Sequence, residues 1–229
     1  MKMAQLKGFA LALLLVLPTG AVATAQATNF VTNPTFAPTD SSFLSSGTNY
    51  LYADSAGDID VPGWTFSPLQ NGVSGSGITG PGGGFGFTTP TSGAPQVGFL
   101  QITATVSQSI TGLTPGDSYD LTFNLEGRPS TGAPLTTVTI GGVTVLSGVI
   151  PPNNSWTSYN DIFEAIATSE TLTFSTIQRA DTTTGIDDPS ITFVPEGGAS
   201  LLYLLLAGAA SFGSMILSLR YRLGSFASA

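Results

Sequence analysis

Carboxylates are the side chains in this sequence best suited to catalysis or metal binding, because the sequence contains neither histidine nor cysteine. Glycoside hydrolysis needs two carboxylates on either side of the scissile bond, roughly 5–10 Å apart. A Ser–His–Asp triad is excluded, and both lysines, Lys2 and Lys7, lie at the N-terminus, away from any serine nucleophile of the body. We therefore expect no enzymatic activity. Spacing selects no pair among the acidic candidates Asp58, Asp60, Asp120, Glu126, Asp161, Glu164, Asp187 and Asp188.

Two acidic clusters are candidate calcium ligands, since calcium prefers hard oxygen donors. One is the stretch DSAGDID at residues 54–60, and the other is the pair at 187 and 188. The spacing does not match an EF-hand loop, so a solvated acidic loop is the favoured interpretation. The alternative is a structural calcium site, and no other cofactor is expected. Its ligands would be Asp58, Asp60, Asp187 and Asp188.

Short alternating stretches predict β-strands separated by turns. In YDLTFNL, the residues Tyr119, Leu121, Phe123 and Leu125 fall on one face, and polar residues fall on the other. This period of two is typical of a strand with one buried face. Gly141-Gly142 lies between two alternating runs and predicts a tight hairpin, because such turns need positive φ.

Further strands are expected from the patterns at 97–110, 118–128, 135–150, 169–177 and 189–194. For residues 161–167 the sequence allows either a helical turn or a strand. The absence of helical periodicity between strands favours an antiparallel β-sandwich over alternating strands and helices.

A glycine-rich stretch, residues 69–91, interrupts this pattern and carries Phe85 and Phe87. Its composition favours a long and mobile surface loop. The alternative is a ligand-contact loop, because aromatic rings on loops can stack on sugars. The three consecutive glycines at 82–84 are not followed by the Lys and Ser/Thr of a phosphate-binding loop, which excludes a nucleotide site of that type.

The net charge of the central region limits which classes of partner it can bind. Residues 28–194 carry two arginines and 13 carboxylates, which gives a formal net charge of −11. Such a surface disfavours nucleic acids and anionic lipids, whose phosphates would be repelled.

Both ends of the sequence differ from its centre. Residues 1–27 combine two lysines, a short apolar core and small residues, which predicts a signal peptide rather than a membrane helix. Residues 199–219 are uncharged and would extend about 31 Å as a helix, enough to cross a membrane. Arg220 and Arg222 follow directly and are expected to stay cytoplasmic. A buried core helix is the alternative for 199–219. The predicted organisation is thus a signal peptide (1–27), a β-sandwich (28–194) and a tail (195–229).

The order of several short motifs resembles a group of exported bacterial proteins with interchangeable anchors. These choice-of-anchor proteins carry a jelly-roll domain similar to galactose-binding domains. The motifs are VTNPTF, VPGWTF, APQVGFLQI, VSQSITGLTPGDSYDLTFNLEGR, NSWTSYNDIFEA, LTFSTI and GIDDPSITFVPE, which together span nearly all of residues 28–194. Pro189 departs from the usual apolar residue after the two aspartates, and Ala37 stands where an acid is common.

This resemblance implies an all-β jelly-roll sandwich with a sugar-binding ancestry. Burial in the core is the favoured interpretation for any single aromatic residue, and for Trp64 in particular. The candidate glycan contacts are Trp64, Tyr50, Tyr52, Phe85, Phe87, Trp156 and Tyr159.

The C-terminal tail resembles the PEP-CTERM sorting signal. Val194-Pro195-Glu196 stands before the apolar segment, although Gly197 replaces the second proline. The resemblance implies processing by an exosortase-like membrane protease in a Gram-negative bacterium that makes exopolysaccharide. The expected product is a non-catalytic protein of the cell surface or extracellular matrix, held by its C-terminal helix before processing. The alternative is an adhesin with a specific glycan ligand.

Overall fold

A computed structural model describes residues 28–40, 50–53, 60–72, 74–80, 82–178, 180–195 and 208. The predicted signal peptide, Asp58, Glu196, Gly197, the predicted membrane span apart from Gly208, Arg220 and Arg222 lie outside these residues. Within the described ranges, no helix has the length and apolar character needed to cross a membrane.

The described chain forms eleven strands in two antiparallel sheets. In chain order they are β1 (Tyr50–Tyr52), β2 (Thr65–Phe66), β3 (Gly75–Thr79), β4 (Val97–Gln101), β5 (Ala104–Thr111), β6 (Ser118–Gly127), β7 (Leu135–Ile140), β8 (Val143–Val149), β9 (Thr157–Glu164), β10 (Ser169–Ile177) and β11 (Thr183–Phe193). One sheet has the order β1-β3-β4-β11-β6-β9, and the other has the order β2-β5-β10-β7-β8.

The connections between the sheets confirm the predicted antiparallel sandwich. Among the described strands, the chain changes sheet at every connection except those between β3 and β4 and between β7 and β8. Such repeated crossing is the arrangement of a jelly roll. The stretch 97–110 is two strands rather than one, because the chain bends at Ile102, whose φ is 62°, and passes to the other sheet.

The predicted alternation places the core between the sheets. Leu121, Phe123 and Leu125 of β6 are 0–2% exposed and face the apolar side chains of the five-stranded sheet. Phe174 of β10 meets Phe123 edge-on, with ring centroids 5.2 Å apart. Burial of these rings supplies much of the driving force for sheet packing, because the favourable free energy increases with the apolar surface area removed from water.

Two local predictions are confirmed. Gly141 and Gly142 have φ of 57° and 83° and join β7 to β8, which pair as an antiparallel hairpin. Residues 161–164 belong to strand β9, so the strand alternative is correct for that part of the segment 161–167, and residues 165–167 lie beyond the strand.

The prediction of one long surface loop over residues 69–91 is wrong. Residues 75–79 form β3, whose five residues are all buried, and Phe85 and Phe87 are 5% and 2% exposed. The glycine content suggested a loop, but here the glycines allow neighbouring groups to pack closely against the chain. At Gly77, for example, a Cβ would overlap the backbone of Leu51 in the adjacent strand.

We expect Phe174→Ala to lower the free energy of unfolding by about 3–5 kcal/mol, because it opens a cavity between the sheets. Ile177→Ala on the same strand is a matched control, since Ile177 is 73% exposed. Its effect should stay within about 0.5 kcal/mol. Urea unfolding measures both, and equal losses in the two variants would contradict this placement of the core.

Candidate functional site: the outer face of the six-stranded sheet

The outer face of the six-stranded sheet, which points away from the core, carries an ordered row of side chains. Strand register aligns Tyr52, Gly77, Phe99, Gly185 and Glu126 across β1, β3, β4, β11 and β6. Their strand neighbours point inward to the core, so this row points outward. Rings therefore alternate with glycines, which makes the face corrugated.

A segment of the chain, residues 82–92, lies across this row, and we call it the strap. Phe85 packs on Phe99 with ring centroids 4.7 Å apart, and on Tyr50 at 5.0 Å. Phe87 lies over Gly185, where an added Cβ would come within 3.1 Å of the Phe87 ring and 2.9 Å of Trp156. These contacts form a second apolar cluster, separate from the core between the sheets.

Two fully buried carboxylates fasten the strap to the sheet. Glu126 accepts hydrogen bonds from the Thr88 amide, at 3.1–3.2 Å, and from the Thr88 hydroxyl, at 2.8 Å. Asp187 accepts from the Thr91 hydroxyl at 2.8 Å, and from the Ser92 amide and hydroxyl at 3.0 and 2.6 Å. Both carboxylates are 0% exposed, and no salt bridge to either occurs in the described ranges. The strap's donors therefore supply the compensation that buried carboxylates require.

Burial raises the pKa of several ionisable side chains on this face. It raises the pKa of Glu126 above the ordinary value of 4.5, an effect that the hydrogen bonds from Thr88 partly offset. Partial burial also raises the pKa of Asp188, with a further contribution from the neighbouring Asp187. The pKa of Tyr52 rises to about 12, chiefly through burial, with Tyr50 and Asp181 adding to the shift and Arg128 opposing it.

A polar cluster lies at one end of the row. Arg128 pairs with Asp181 at 3.2 Å, and its guanidinium carbon lies 5.1 Å from the centre of the Phe85 ring. Gln101 donates its amide N–H to Asp181. Three buried atoms here lack a hydrogen-bond partner within the described part of the chain: Gln101 Oε1, Arg128 Nε and Thr183 Oγ1. Buried polar atoms normally have hydrogen-bond partners, so these three atoms could form hydrogen bonds to a bound molecule.

An open depression of about 420 Å³ adjoins the strap, and we call it the polar groove. The side chains that line it are mostly hydroxyls and amides, with one carboxylate. Ser158 donates to Asn124 at 2.5 Å, while Asn160 is exposed. The outward-pointing members are Thr122, Asn124, Ser158 and Asn160, together with Asp188 in the β11 bulge.

The structure separates the predicted glycan contacts into two groups. Trp64 is 8% exposed, stacks on Phe36 at 4.6 Å and donates its indole N–H to the Asn33 carbonyl, so the core interpretation is correct for it. Phe85 and Phe87 are also buried, and in this conformation they present no free ring face. Tyr50, Tyr52 and Trp156 are half-buried around the strap. Tyr159 stacks on Phe123 at 5.8 Å, on the core side of β9.

The proposed calcium ligands do not converge among the described residues. Asp187 is engaged by the strap, and Asp60 accepts a hydrogen bond from Thr39. No group of three or more acidic side chains in the described ranges has a geometry suited to a metal ion. Since Asp58 lies outside those ranges, calcium binding stays a prediction.

Several residues of the site were not identified from sequence. The alternation of β6 did predict that Asn124 and Thr122 share the face opposite the core. It did not show that Thr88, Thr91 and Ser92 would cover part of that face. No local pattern reports such a contact, because it joins residues 38 to 96 positions apart.

Comparisons with known proteins give similar folds at low identity. The carbohydrate-binding module TmCBM61, solved in complex with beta-1,4-galactotriose, is 14% identical, with 73% of this chain and 100% of that chain covered and a TM-score of 0.48. The enzymatically active domain of tailspike protein 4 of bacteriophage CBA120 is 15% identical, with 64% of this chain covered and a TM-score of 0.44. The present chain matches only 22% of the length of that tailspike chain.

A third similar structure is the CBM22-1 xylan-binding domain of Paenibacillus barcinonensis Xyn10C. It is 14% identical, with 59% of this chain and 88% of that chain covered and a TM-score of 0.40. No family model matches the chain, and no curated protein matches it.

The raised pKa of Glu126 predicts a pH dependence of stability. The folded state holds the Glu126 proton more tightly than the unfolded state does. The contribution of this group to the free energy of unfolding therefore falls as pH rises from the ordinary value of 4.5 through the raised pKa. Glu126→Gln removes this titration. Urea unfolding gives the free energy of unfolding of both proteins. The value for the wild type minus the value for the variant should decrease as pH rises across that window.

Glu164→Gln is the matched control, because Glu164 is exposed on β9. A pH-independent difference for Glu126→Gln, or an equal slope for Glu164→Gln, would contradict the assignment.

Proposed function

We propose that this protein is exported and that its non-catalytic β-sandwich binds a neutral polysaccharide through the polar groove. The observation that carries the proposal is the groove itself, an open depression lined by hydroxyl and amide groups on adjacent strands. Such groups both donate and accept hydrogen bonds, as sugar hydroxyls do. The half-buried Trp156, just before β9, supplies aromatic surface near the groove, whereas the tyrosines of β1 lie at the opposite edge of the sheet.

The charge of the molecule favours a neutral ligand over an acidic one. With a formal net charge of −11 over residues 28–194, the body repels polyuronates and other anionic polymers. Asp188, exposed at the groove, adds a local negative charge. A neutral glycan meets no such repulsion, and its hydroxyls can also donate to the Asp188 carboxylate.

We further propose that the tail directs the body to the cell surface. The pattern Val194-Pro195-Glu196-Gly197, the uncharged segment 199–219 and the basic residues Arg220 and Arg222 support membrane insertion and then processing by an exosortase-like protease. The released or attached body would reside at the surface or in the extracellular matrix of a Gram-negative bacterium. There its partner would be the exopolysaccharide.

A second candidate is an adhesin that recognises one specific glycan. The unpaired atoms of Gln101, Arg128 and Thr183 favour it, because fixed polar groups select particular hydroxyl geometries. The two candidates differ in selectivity. A matrix protein should bind several neutral polysaccharides with similar affinity, whereas an adhesin should bind one of them far more tightly.

Binding of the full chain to xylan, β-galactan and polygalacturonate tests the groove. We expect binding to the neutral polymers only. The double variant Thr122→Val/Asn160→Ala should weaken it about tenfold, because two hydrogen bonds to the ligand are lost.

The control variant Thr105→Val/Thr171→Val removes two exposed hydroxyls from the opposite sheet and should bind as the wild type does. Stronger binding to polygalacturonate, or equal loss in both double variants, would refute the groove as the binding site.

Intact-mass analysis of membrane and extracellular fractions tests the tail. We expect the extracellular form to lack residues 1–27 and the segment beyond the Pro195 region. Pro195→Ala/Glu196→Gln should leave the unprocessed form in the membrane. An extracellular form that retains residues 199–229 would contradict the sorting proposal.

A further inference from the structure

The strap presents hydroxyl donors to the sheet, as a sugar would. Three hydroxyls, from Thr88, Thr91 and Ser92, donate to two buried carboxylates at 2.6–2.8 Å. Carboxylates on a concave protein surface engage neighbouring hydroxyls of a carbohydrate in the same manner. Burying these carboxylates is costly unless such donors are supplied, so any molecule that replaces the strap must supply them too.

A ring-sized slot lies beneath the strap. Gly185 forms its floor, and Phe99 and Trp156 form its walls. Phe87 fills it, with the ring 3.1 Å from where a Cβ of residue 185 would stand and 6.0 Å from the Trp156 ring centre. The absence of a side chain at 185 therefore accommodates a flat ring above the sheet. Aromatic walls of this kind suit the apolar face of a pyranose as well as a phenyl ring.

The slot lies near the polar groove along β11. Asp187, which anchors the strap, is paired in register with Asn124, whose side chain belongs to the groove. Trp156 donates its indole N–H to the Thr88 carbonyl at 3.3 Å, so it marks the boundary between strap and groove. A polysaccharide chain that extends along the groove thus meets the strap at Trp156 and Thr88.

We propose that the strap is an internal substitute for the ligand, which a neutral glycan displaces to occupy the slot over Gly185. The proposal rests on glycan binding at the groove and extends that site. In the displaced state, glycan hydroxyls replace Thr88, Thr91 and Ser92 on Glu126 and Asp187, and a sugar ring replaces Phe87. The glycine-rich strap regains conformational freedom on release, which favours the exchange.

Hydrogen exchange on the full chain, with soluble xylan oligosaccharides or β-galactan oligosaccharides as probes, tests displacement directly. The amides of Thr88 and Ser92 are donors to the carboxylates in the closed form. We expect their exchange to accelerate at least tenfold when a binding oligosaccharide is added. Exchange that slows or stays unchanged under saturating ligand would overturn the proposal, because it shows that the strap remains closed.

Strap variants give an independent test. Thr91→Val removes one hydroxyl bond to Asp187 and should raise glycan affinity about fivefold, since it increases the fraction of molecules with the slot open. Thr171→Val, at an exposed position on the opposite sheet, is the control and should leave affinity unchanged. Affinity that falls or does not change in Thr91→Val would overturn displacement.

The outcomes distinguish this inference from the proposed function. If Thr122→Val/Asn160→Ala weakens binding while Thr91→Val and hydrogen exchange show no effect, the groove binds glycan and the strap is structural. If wild type binds weakly and Thr91→Val binds clearly, displacement is supported. If neither wild type nor Thr91→Val binds any neutral polymer, both proposals are refuted.

Discussion

The buried carboxylates Glu126 and Asp187 impose the constraint on which the outer face depends. A carboxylate removed from water must be matched by donors, and here the donors come from residues 88–92. This requirement explains how a segment so rich in glycine adopts one fixed path over the sheet. It also links the two halves of the site, because Asp187 holds the strap while its register partner Asn124 lines the polar groove.

Side-chain size across the strands determines the shape of this face. In the row Tyr52, Gly77, Phe99, Gly185 and Glu126, each glycine lies between larger neighbours. The hollow at Gly185 receives Phe87 from the strap, and the absence of a Cβ at Gly77 lets β1 approach closely enough to bring Tyr50 and Tyr52 to the site. The missing side chains at these glycines thus shape the outer face, and the number of glycines does not indicate flexibility.

The two outer faces of the sandwich differ in chemistry. The outer face of the five-stranded sheet carries a row of hydroxyls from Thr65, Ser107, Thr173, Thr139 and Thr144, one from each strand. These side chains are at least partly exposed to solvent, whereas much of the opposite face is covered by the strap and flanked by aromatic rings. Among the described residues, aromatic surface beside polar groups concentrates on the six-stranded sheet, which is why we propose the glycan site there.

The sequence by itself determined the sandwich, because its evidence is local. The alternation in β6 and the paired glycines of the β7–β8 hairpin each follow from the geometry of a few neighbouring residues. The composition of residues 28–194 likewise determined the formal charge and excluded histidine-based and cysteine-based chemistry there. Only the tertiary structure decided that the glycine-rich segment is a buried strand and a strap, and which aromatic rings are covered. Those outcomes depend on contacts between distant parts of the chain, such as Thr91 with Asp187, and on the need of a buried charge for donors that no local pattern encodes.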